Sequence, residues 1–507
     1  MTSHTPESLA SLSSYAATKF GTKTAVVSED VELTFEQVND QVNALAFGLD
    51  KLGFGRGDHI LLHLPNGWRW IVCYYAIARI GAVIVPSDYL LVPEEIRFIA
   101  DNCQAAGAIV SADRYGQIAS LLAGSSTKIL SFGDGSSGDS SLDVFLGRPV
   151  GAFISPNGDR QPDDISTIMY TSGTTGQPKG AVLTDRAVLL NAQVTATMHV
   201  RTAQDITVMA VPCAHVYGSI IMNGCFLTGA KLVLMDRFDV RRTLAAIEEH
   251  KATLFEGVPT MYHYLMDSEL PEQFELSSLS RCTVGGQTMA VGKMEEVERR
   301  LGCRLIEIWG MTEIGGLGTT HPAYGPPKLG SIGVPMPFME CRIASLENPS
   351  QSVPDGELGE LMFRGPIVME SYWALPEATN EILGPDGWLR TGDVGYKDED
   401  GYYYIVDRKK EMIITAGYNV YPSEVERAVA EHPGVAMVAV GSVFDPQKGE
   451  LAKAYIVRKQ GARCDEGEIM LHCRERLAQY KLPRLIEFVE DLPRTSTGKM
   501  KRGSFND

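Results

Sequence analysis

Residues 170–180 read Tyr170-Thr171-Ser172-Gly173-Thr174-Thr175-Gly176-Gln177-Pro178-Lys179-Gly180 and follow a strand-like run from Ile165 to Met169. The three glycines let the backbone come close to a bulky anion, the four hydroxyls and free N–H groups donate to its oxygens, and Lys179 adds a cation. A strand feeding such a loop is a phosphate cradle in form. It is not a Walker A loop, because Pro178 stands where the second glycine is required and Gly180 where Ser or Thr follows the lysine. Gly53-Phe54-Gly55-Arg56-Gly57 is not a dinucleotide fingerprint either: it follows a helical pattern and reads as a helix C-cap and turn. Neither G-x-S-x-G nor H-E-x-x-H occurs, which removes the usual signatures of serine hydrolases and zincins. Cys213 has no partner motif for nucleophilic catalysis and reads as structural.

The elements around this loop follow from periodicity. Phe35 to Leu52 and Trp70 to Ile80 have helical spacing, whereas His59 to Leu64 and Ala82 to Val85 read as strands, an alternation that implies α/β layers. The Ser/Gly stretch from Ser131 to Ser141 reads as a surface loop. A strand over Tyr402 to Val406 ends at the basic cluster Arg408-Lys409-Lys410, and the domain boundary is placed there. Beyond it Ser423 and Glu426 are expected to form a capping box for a helix to about Glu431. Strands near Val435 to Val443 and Ala452 to Val457, a helix from Glu466 to Leu477 and a strand at Leu485 to Val489 follow. The expected architecture is therefore α/β, with a large multi-layered N-terminal domain of mixed sheets and helices (1–406) and a small, mobile α+β C-terminal domain (407–507).

Composition narrows the partners. The 507 residues carry 46 Lys plus Arg against 63 Asp plus Glu, a net charge of −17 that disfavours nucleic acid and anionic membrane surfaces. The nine cysteines are scattered with no C-x-x-C pair, which fits a reducing cytoplasm better than a disulfide framework. No secretory leader or membrane span is expected, since the longest mostly apolar run, Ile71 to Pro86, is interrupted by Arg79.

Further motifs succeed the phosphate loop along nearly the whole chain. They are Pro212-Cys213-Ala214-His215-Val216-Tyr217-Gly218, Gly285-Gly286-Gln287, Trp309-Gly310-Met311-Thr312-Glu313, Gly356-Glu357-Leu358-Gly359-Glu360, Tyr372-Trp373, Thr391-Gly392-Asp393, Asp407-Arg408 and Pro493-Arg494-Thr495-Ser496-Thr497-Gly498-Lys499. In kind and order they resemble the adenylate-forming (AMP-binding) superfamily, and within it the acyl-CoA synthetases that activate fatty or aryl acids. Two departures stand out: Trp309 replaces the more common Tyr, and Gln287-Thr288 stands where the family often has Ala-Pro.

The resemblance implies a carboxylate that attacks the α-phosphorus of ATP, an encounter of anions that requires charge neutralisation more than proton transfer. By resemblance Thr171, Ser172, Gly173, Thr174, Thr175, Gly176 and Lys179 fold over the phosphates, Thr312 bonds the α-phosphate and Glu313 holds Mg²⁺. Gly286, Gln287, Trp309, Gly310 and Met311 border the nucleotide, Asp393 accepts the ribose hydroxyls and Arg408 adds a ribose contact. Lys499 reaches between the carboxylate and the α-phosphate, so Lys499, Thr312, Glu313 and His215 form the implied catalytic set. The acyl pocket falls to His215, Val216, Tyr217, Gly285 and Gly310. Acetyl-CoA synthetases carry Trp at the position of Gly310, so the resemblance implies space here for an acid larger than acetate. Coenzyme A, the implied co-substrate beside ATP, would meet Lys410, Gly417 and Tyr418 after rotation about a hinge at Asp407. A carrier protein presents the same pantetheine arm, so loading an acyl or amino acid onto a carrier is the alternative. A nucleotide-binding regulator without catalysis is disfavoured by Thr312, Glu313, Asp393 and Lys499 standing together.

Overall fold

The computed structural model describes residues 6, 8–29, 31–133, 141–153, 160–171, 178–415, 418–445, 449–459 and 461–493. Described residues fall into two compact units, one from Met1–Leu329, Gly333–Glu340 and Arg364–Gly387, the other from Gly330–Ile332, Cys341–Phe363 and Trp388–Asp507. Asp407 lies inside the second.

Two sheets organise the first unit. In the nine-stranded sheet the spatial order is Val334–Pro335, Gly316–Thr320, Arg304–Met311, Arg281–Gly285, Leu254–Gly257, Ile206–Met209, Lys231–Leu234, Thr24–Ser28 and Val31–Thr34. Its interior pairs are parallel and only its edges antiparallel. Parallel strands are covered on both faces, which is why Leu254–Gly257 is buried at every position. One face packs on helices Val240–His250, Pro259–Met266 and Val291–Leu301 through Phe255, Cys282, Val284, Leu244, Met294 and Val297. The other meets helices Asp185–Met198 and Val216–Thr228 through Ile306, Ile308, Ala192, Val194 and Ile220.

The seven-stranded sheet runs Ser371–Tyr372, Lys179–Thr184, Ile165–Thr171, Val83–Pro86, His59–His63, Gly107–Ser111 and Lys128–Phe132. The helices expected over 35–52 and 70–80 are Phe35–Lys51 and Trp68–Arg79. The first starts at a full capping box, with the Thr34 hydroxyl accepting from Gln37 N–H and the Gln37 side chain accepting from Thr34 N–H. Ser131 and Phe132 belong to the strand Lys128–Phe132, and residues 134–140 of the expected loop lie outside the described residues.

The second unit holds a sheet ordered Glu340–Ala344, Gly359–Arg364, Leu389–Lys397, Tyr403–Arg408, and a five-stranded sheet centred on the long pair Val435–Asp445 and Gly449–Arg458. The strand expected to end at Val406 continues through Asp407 and Arg408, because its partner strand carries on past Asp393. The expected Ser423–Glu426 capping box is not formed. Helix Pro422–Ala430 begins at Tyr421, Glu426 instead accepts from Val440 N–H at 2.9 Å, and the Ser423 hydroxyl donates to Val406 O. Asp407 supplies the cap, its Oδ2 accepting from Ser423 N–H at 2.7 Å. The next helix stops at Arg474, three residues short of the expected Leu477.

Candidate active site

Strands Ile165–Thr171 and Lys179–Thr184 form an antiparallel pair in which Thr171 stands opposite Lys179, so the glycine-rich segment connects two rigid edges. Ser172, Gly173, Thr174, Thr175 and Gly176 lie outside the described residues. The short strand Ser371–Tyr372 adds to the outer edge with Tyr372 opposite Ala181. That register puts the Tyr372 ring under the Lys179 ammonium, 5.1 Å from the ring centroid. The same Tyr372 donates its hydroxyl to Glu313 Oε1 at 2.6 Å.

Glu313 sits in the single 3₁₀ turn Thr312–Ile314 that follows strand Arg304–Met311. Met369 N–H bonds its carbonyl at 2.8 Å, so one segment, 369–372, holds both its backbone and its side chain. Among the described residues no contact occupies Glu313 Oε2, and no group of three or more potential ligands forms a metal cluster. A lone, oriented carboxylate suits Mg²⁺, which keeps most of its waters and takes phosphate oxygens from its substrate. Tyr372, which sequence reasoning quoted in a motif without a role, is the group that orients Glu313.

Because the interior strands are parallel, their carboxyl ends share one edge of the sheet, where open α/β folds bind ligands. Gly285, Gly286 and Gln287 leave one such end, and Trp309, Gly310 and Met311 the next, with Gly285 opposite Ile308. Gly286 has φ +92°, a conformation that favours glycine. Gly310 has a different reason to be glycine from the one the resemblance implied. A Cβ there would lie 2.0 Å from Gly316 O and 3.0 Å from Leu317 Cα, so the missing side chain makes room for the neighbouring strand.

His215 precedes helix Val216–Thr228 and its Nε2 lies 2.8 Å from Asp88 Oδ2. Burial pushes the Asp88 carboxyl up, but the hydrogen bond and charge of His215 outweigh it, so the group titrates below its ordinary value. With Nε2 engaged, the partner fixes which imidazole nitrogen faces outward. Tyr217, two residues on, donates its hydroxyl to Glu256 Oε2 at 3.2 Å, and its oxygen lies 2.5 Å from Thr283 Oγ1. Burial and the Glu256 carboxylate push its phenol far above its ordinary value. Burial likewise raises the Cys213 thiol, which agrees with a structural role. Asp88 and Glu256 escaped the sequence reading because they lie 127 and 39 residues from the groups they hold.

In the second unit, Asp393 and Arg408 are facing partners on adjacent strands and form an ion pair at 2.8 Å, Asp393 being almost fully buried. Lys410 lies in the 3₁₀ turn Lys409–Glu411, and the Tyr418 ring stacks on Tyr480 with centroids 4.8 Å apart. Gly417 and Lys499 lie outside the described residues.

Comparisons with known proteins meet this geometry. Relatives include the long-chain-fatty-acid–CoA ligase of Bacillus subtilis (strain 168), 33% identical over 98% of this chain and 93% of that protein. The feruloyl-CoA synthase of Amycolatopsis sp. is 35% identical over 95% and 94% of the two chains. Among solved structures, ATP-bound MatB from Rhodopseudomonas palustris superposes with TM-score 0.91 at 27% identity over 98% of both chains. The anthranilate CoA ligase AuaEII with anthranoyl-AMP gives TM-score 0.90 at 27% identity, over 100% of this chain and 98% of that one. No helix among the described residues is long and apolar enough to cross a membrane. The AMP-binding enzyme family model matches residues 14–373, including the strand pair around the phosphate loop, Tyr372 and Glu313, and the AMP-binding enzyme C-terminal domain matches 424–499; the chain belongs to this family.

Proposed function

We propose that this chain uses ATP to activate a carboxylic acid larger than acetate, of the fatty or aryl class, and transfers the acyl group to coenzyme A. In the first step the carboxylate oxygen bonds the α-phosphorus and pyrophosphate leaves; in the second the thiol sulfur bonds the acyl carbon, AMP leaves and the thiol proton passes to solvent. The class of enzyme, an AMP-forming acid–thiol ligase working on ATP and coenzyme A, is that of relatives named CoA ligase or CoA synthase. The single observation that carries the reading is the Glu313 carboxylate held by Tyr372 beside the Lys179 ammonium. A metal-compatible anion and a phosphate-compatible cation thus share one side chain, Tyr372, which supports the reading.

The remaining roles belong to the proposal. Glu313 would hold Mg²⁺, which would supply neutralisation of phosphate charge; Asp393 and Arg408, already paired, take the ribose; Lys499 serves adenylation. His215, Val216, Tyr217, Gly285 and Gly310 border the acyl group, and Lys410, Gly417 and Tyr418 meet coenzyme A after a rotation about Asp407. The size of the acid rests on the relatives, whose names include long-chain fatty acids and feruloyl groups.

Incubating the chain with ATP, Mg²⁺ and a panel of acids, with either coenzyme A or a pantetheinylated carrier protein, tests the assignment. The expected products are acyl-CoA and AMP in equal amounts. Acyl transfer to the carrier alone would replace the acceptor, and no acid-dependent ATP turnover would leave only a nucleotide-binding protein.

A further inference from the structure

Beneath Tyr217 the sheet presents charge where an alkyl chain would need apolar walls. Glu256 stands opposite Thr283 on parallel strands, and Thr283 and Gly285, two residues apart on one strand, share a face. The Tyr217 hydroxyl closes over that face, bonded to Glu256 Oε2, to Thr283 Oγ1 and, at 3.4 Å, to Gly257 O. One layer further in, Glu256 Oε1 accepts from Arg201 Nη2 at 2.6 Å, with side chains only 0% and 1% exposed. Behind Arg201 is an open cleft of about 390 Å³, lined also by Gln193, Thr197, Val200 and Leu227. The order inward is thus Gly285, then Tyr217 and Thr283, then the Glu256–Arg201 pair, then the cleft.

We propose that the buried Arg201–Glu256 pair is a length stop for the acyl group, so that this chain takes aryl and short- to medium-chain acids and excludes long unbranched fatty acids. This deepens the function proposed above and rests on its placement of the acyl site at Tyr217 and Gly285. Arg201 Nε and Nη1 are buried without a partner among the described residues, so Glu256 and, at 3.3 Å, His199 Nδ1 supply what holds the cation. Burial and the nearby arginines drive His199 well below its ordinary value, so it stays neutral and adds no competing charge. A tail extending past Tyr217 has to part an ion pair whose side chains are both buried. Separating such a pair costs about 10²- to 10³-fold in an equilibrium constant. A methylene returns about fourfold only where it is buried, and methylenes carried past the pair would enter the open cleft instead of a closed apolar pocket.

The test is kcat/KM for acyl-CoA formation with straight-chain acids from butanoate to hexadecanoate and with benzoate and cinnamate. In the wild type, hexadecanoate should fall about 10²-fold or more below the best substrate. The double substitution Arg201→Met with Glu256→Leu, which removes both charges and opens the pocket toward the cleft, should raise hexadecanoate relative to that substrate by about tenfold or more. A wild type that prefers hexadecanoate overturns the stop whether or not the variant folds. So does a double variant with normal thermal unfolding and an unchanged chain-length profile. If no acid supports turnover in the wild type, the proposed function itself falls, an outcome distinct from a preference for long chains.

Discussion

Replacing Gly310 by Ala separates two reasons for a glycine at this position. Strands Arg304–Met311 and Gly316–Thr320 are antiparallel, with a register shift between Trp309 and Gly310 that brings Gly310 opposite Leu317 and Met311 opposite Gly316. An added Cβ would lie 2.0 Å from Gly316 O, 2.8 Å from Gly316 C and 3.0 Å from Leu317 Cα. Non-bonded carbons rest about 3.5–4.0 Å from their neighbours, so the strands must part by roughly 1 Å or more. The obstacle is backbone, which cannot swing away as a side chain tip does. Overpacking of this kind costs about 1–3 kcal/mol. The displaced strand leads directly into Thr312 and Glu313, and a misplacement of about 1 Å at a reacting centre costs about 10²-fold in rate. Gly310→Ala should therefore lower stability in denaturant unfolding and depress acid-dependent ATP–pyrophosphate exchange alike for benzoate, hexanoate and decanoate. Gly310→Trp should be worse in the same uniform way. A variant that unfolds like the wild type and loses activity only on larger acids would refute the strand-approach account and restore Gly310 as a measure of acyl size.

Glu313→Gln keeps the shape of the side chain but removes its charge, so activity should collapse by about 10²- to 10³-fold and recover only in part with excess Mg²⁺; unchanged metal dependence would exclude Glu313 as a ligand. Tyr372→Phe keeps the ring under Lys179 and removes the hydroxyl that donates to the buried Glu313 carboxylate, so stability in denaturant unfolding should fall by about 1.5–3 kcal/mol and the Mg²⁺ needed for half-maximal exchange should rise. Lys499→Ala should reduce adenylate formation by about 10²- to 10³-fold yet spare thioester formation from supplied acyl adenylate; equal loss in both steps would end that division of labour. His63, held down to about 4 by burial and by Arg114, is neutral in the fold at pH values where the unfolded chain takes a proton. Stability should therefore rise with pH between about 4 and 6.5, by up to roughly 3 kcal/mol, and His63→Phe should flatten that slope in unfolding titrations.

Local patterns in the chain anticipated much of this fold. Runs such as Ile60-Leu61-Leu62 and Val83-Ile84-Val85 are apolar throughout because parallel strands are buried on both faces, and that signal needs no distant partner. The glycine turn after Leu52 was likewise local. What escaped was long-range. Nothing near Ser423 announces that its N–H is capped by Asp407, which arrives from a strand sixteen residues earlier. Nothing near Gly310 shows that Gly316 folds back to within touching distance of it. The motif residues Glu313, His215 and Tyr217 could be named, but the groups that aim them, Tyr372, Asp88 and Glu256, come from other strands and loops and become neighbours only through sheet order. Asp393 and Arg408 fall between these cases: both were named, and the antiparallel register explains why they meet.

Acid-dependent exchange of labelled pyrophosphate into ATP, measured without coenzyme A, tests the central claim most directly. Exchange reports reversible formation of an acyl adenylate and nothing after it. The account predicts no exchange without a carboxylic acid, rapid exchange with an aryl or medium-chain acid, and its loss in Glu313→Gln. ATP consumption without any exchange across the acid panel, or exchange that persists undiminished in Glu313→Gln, would contradict it.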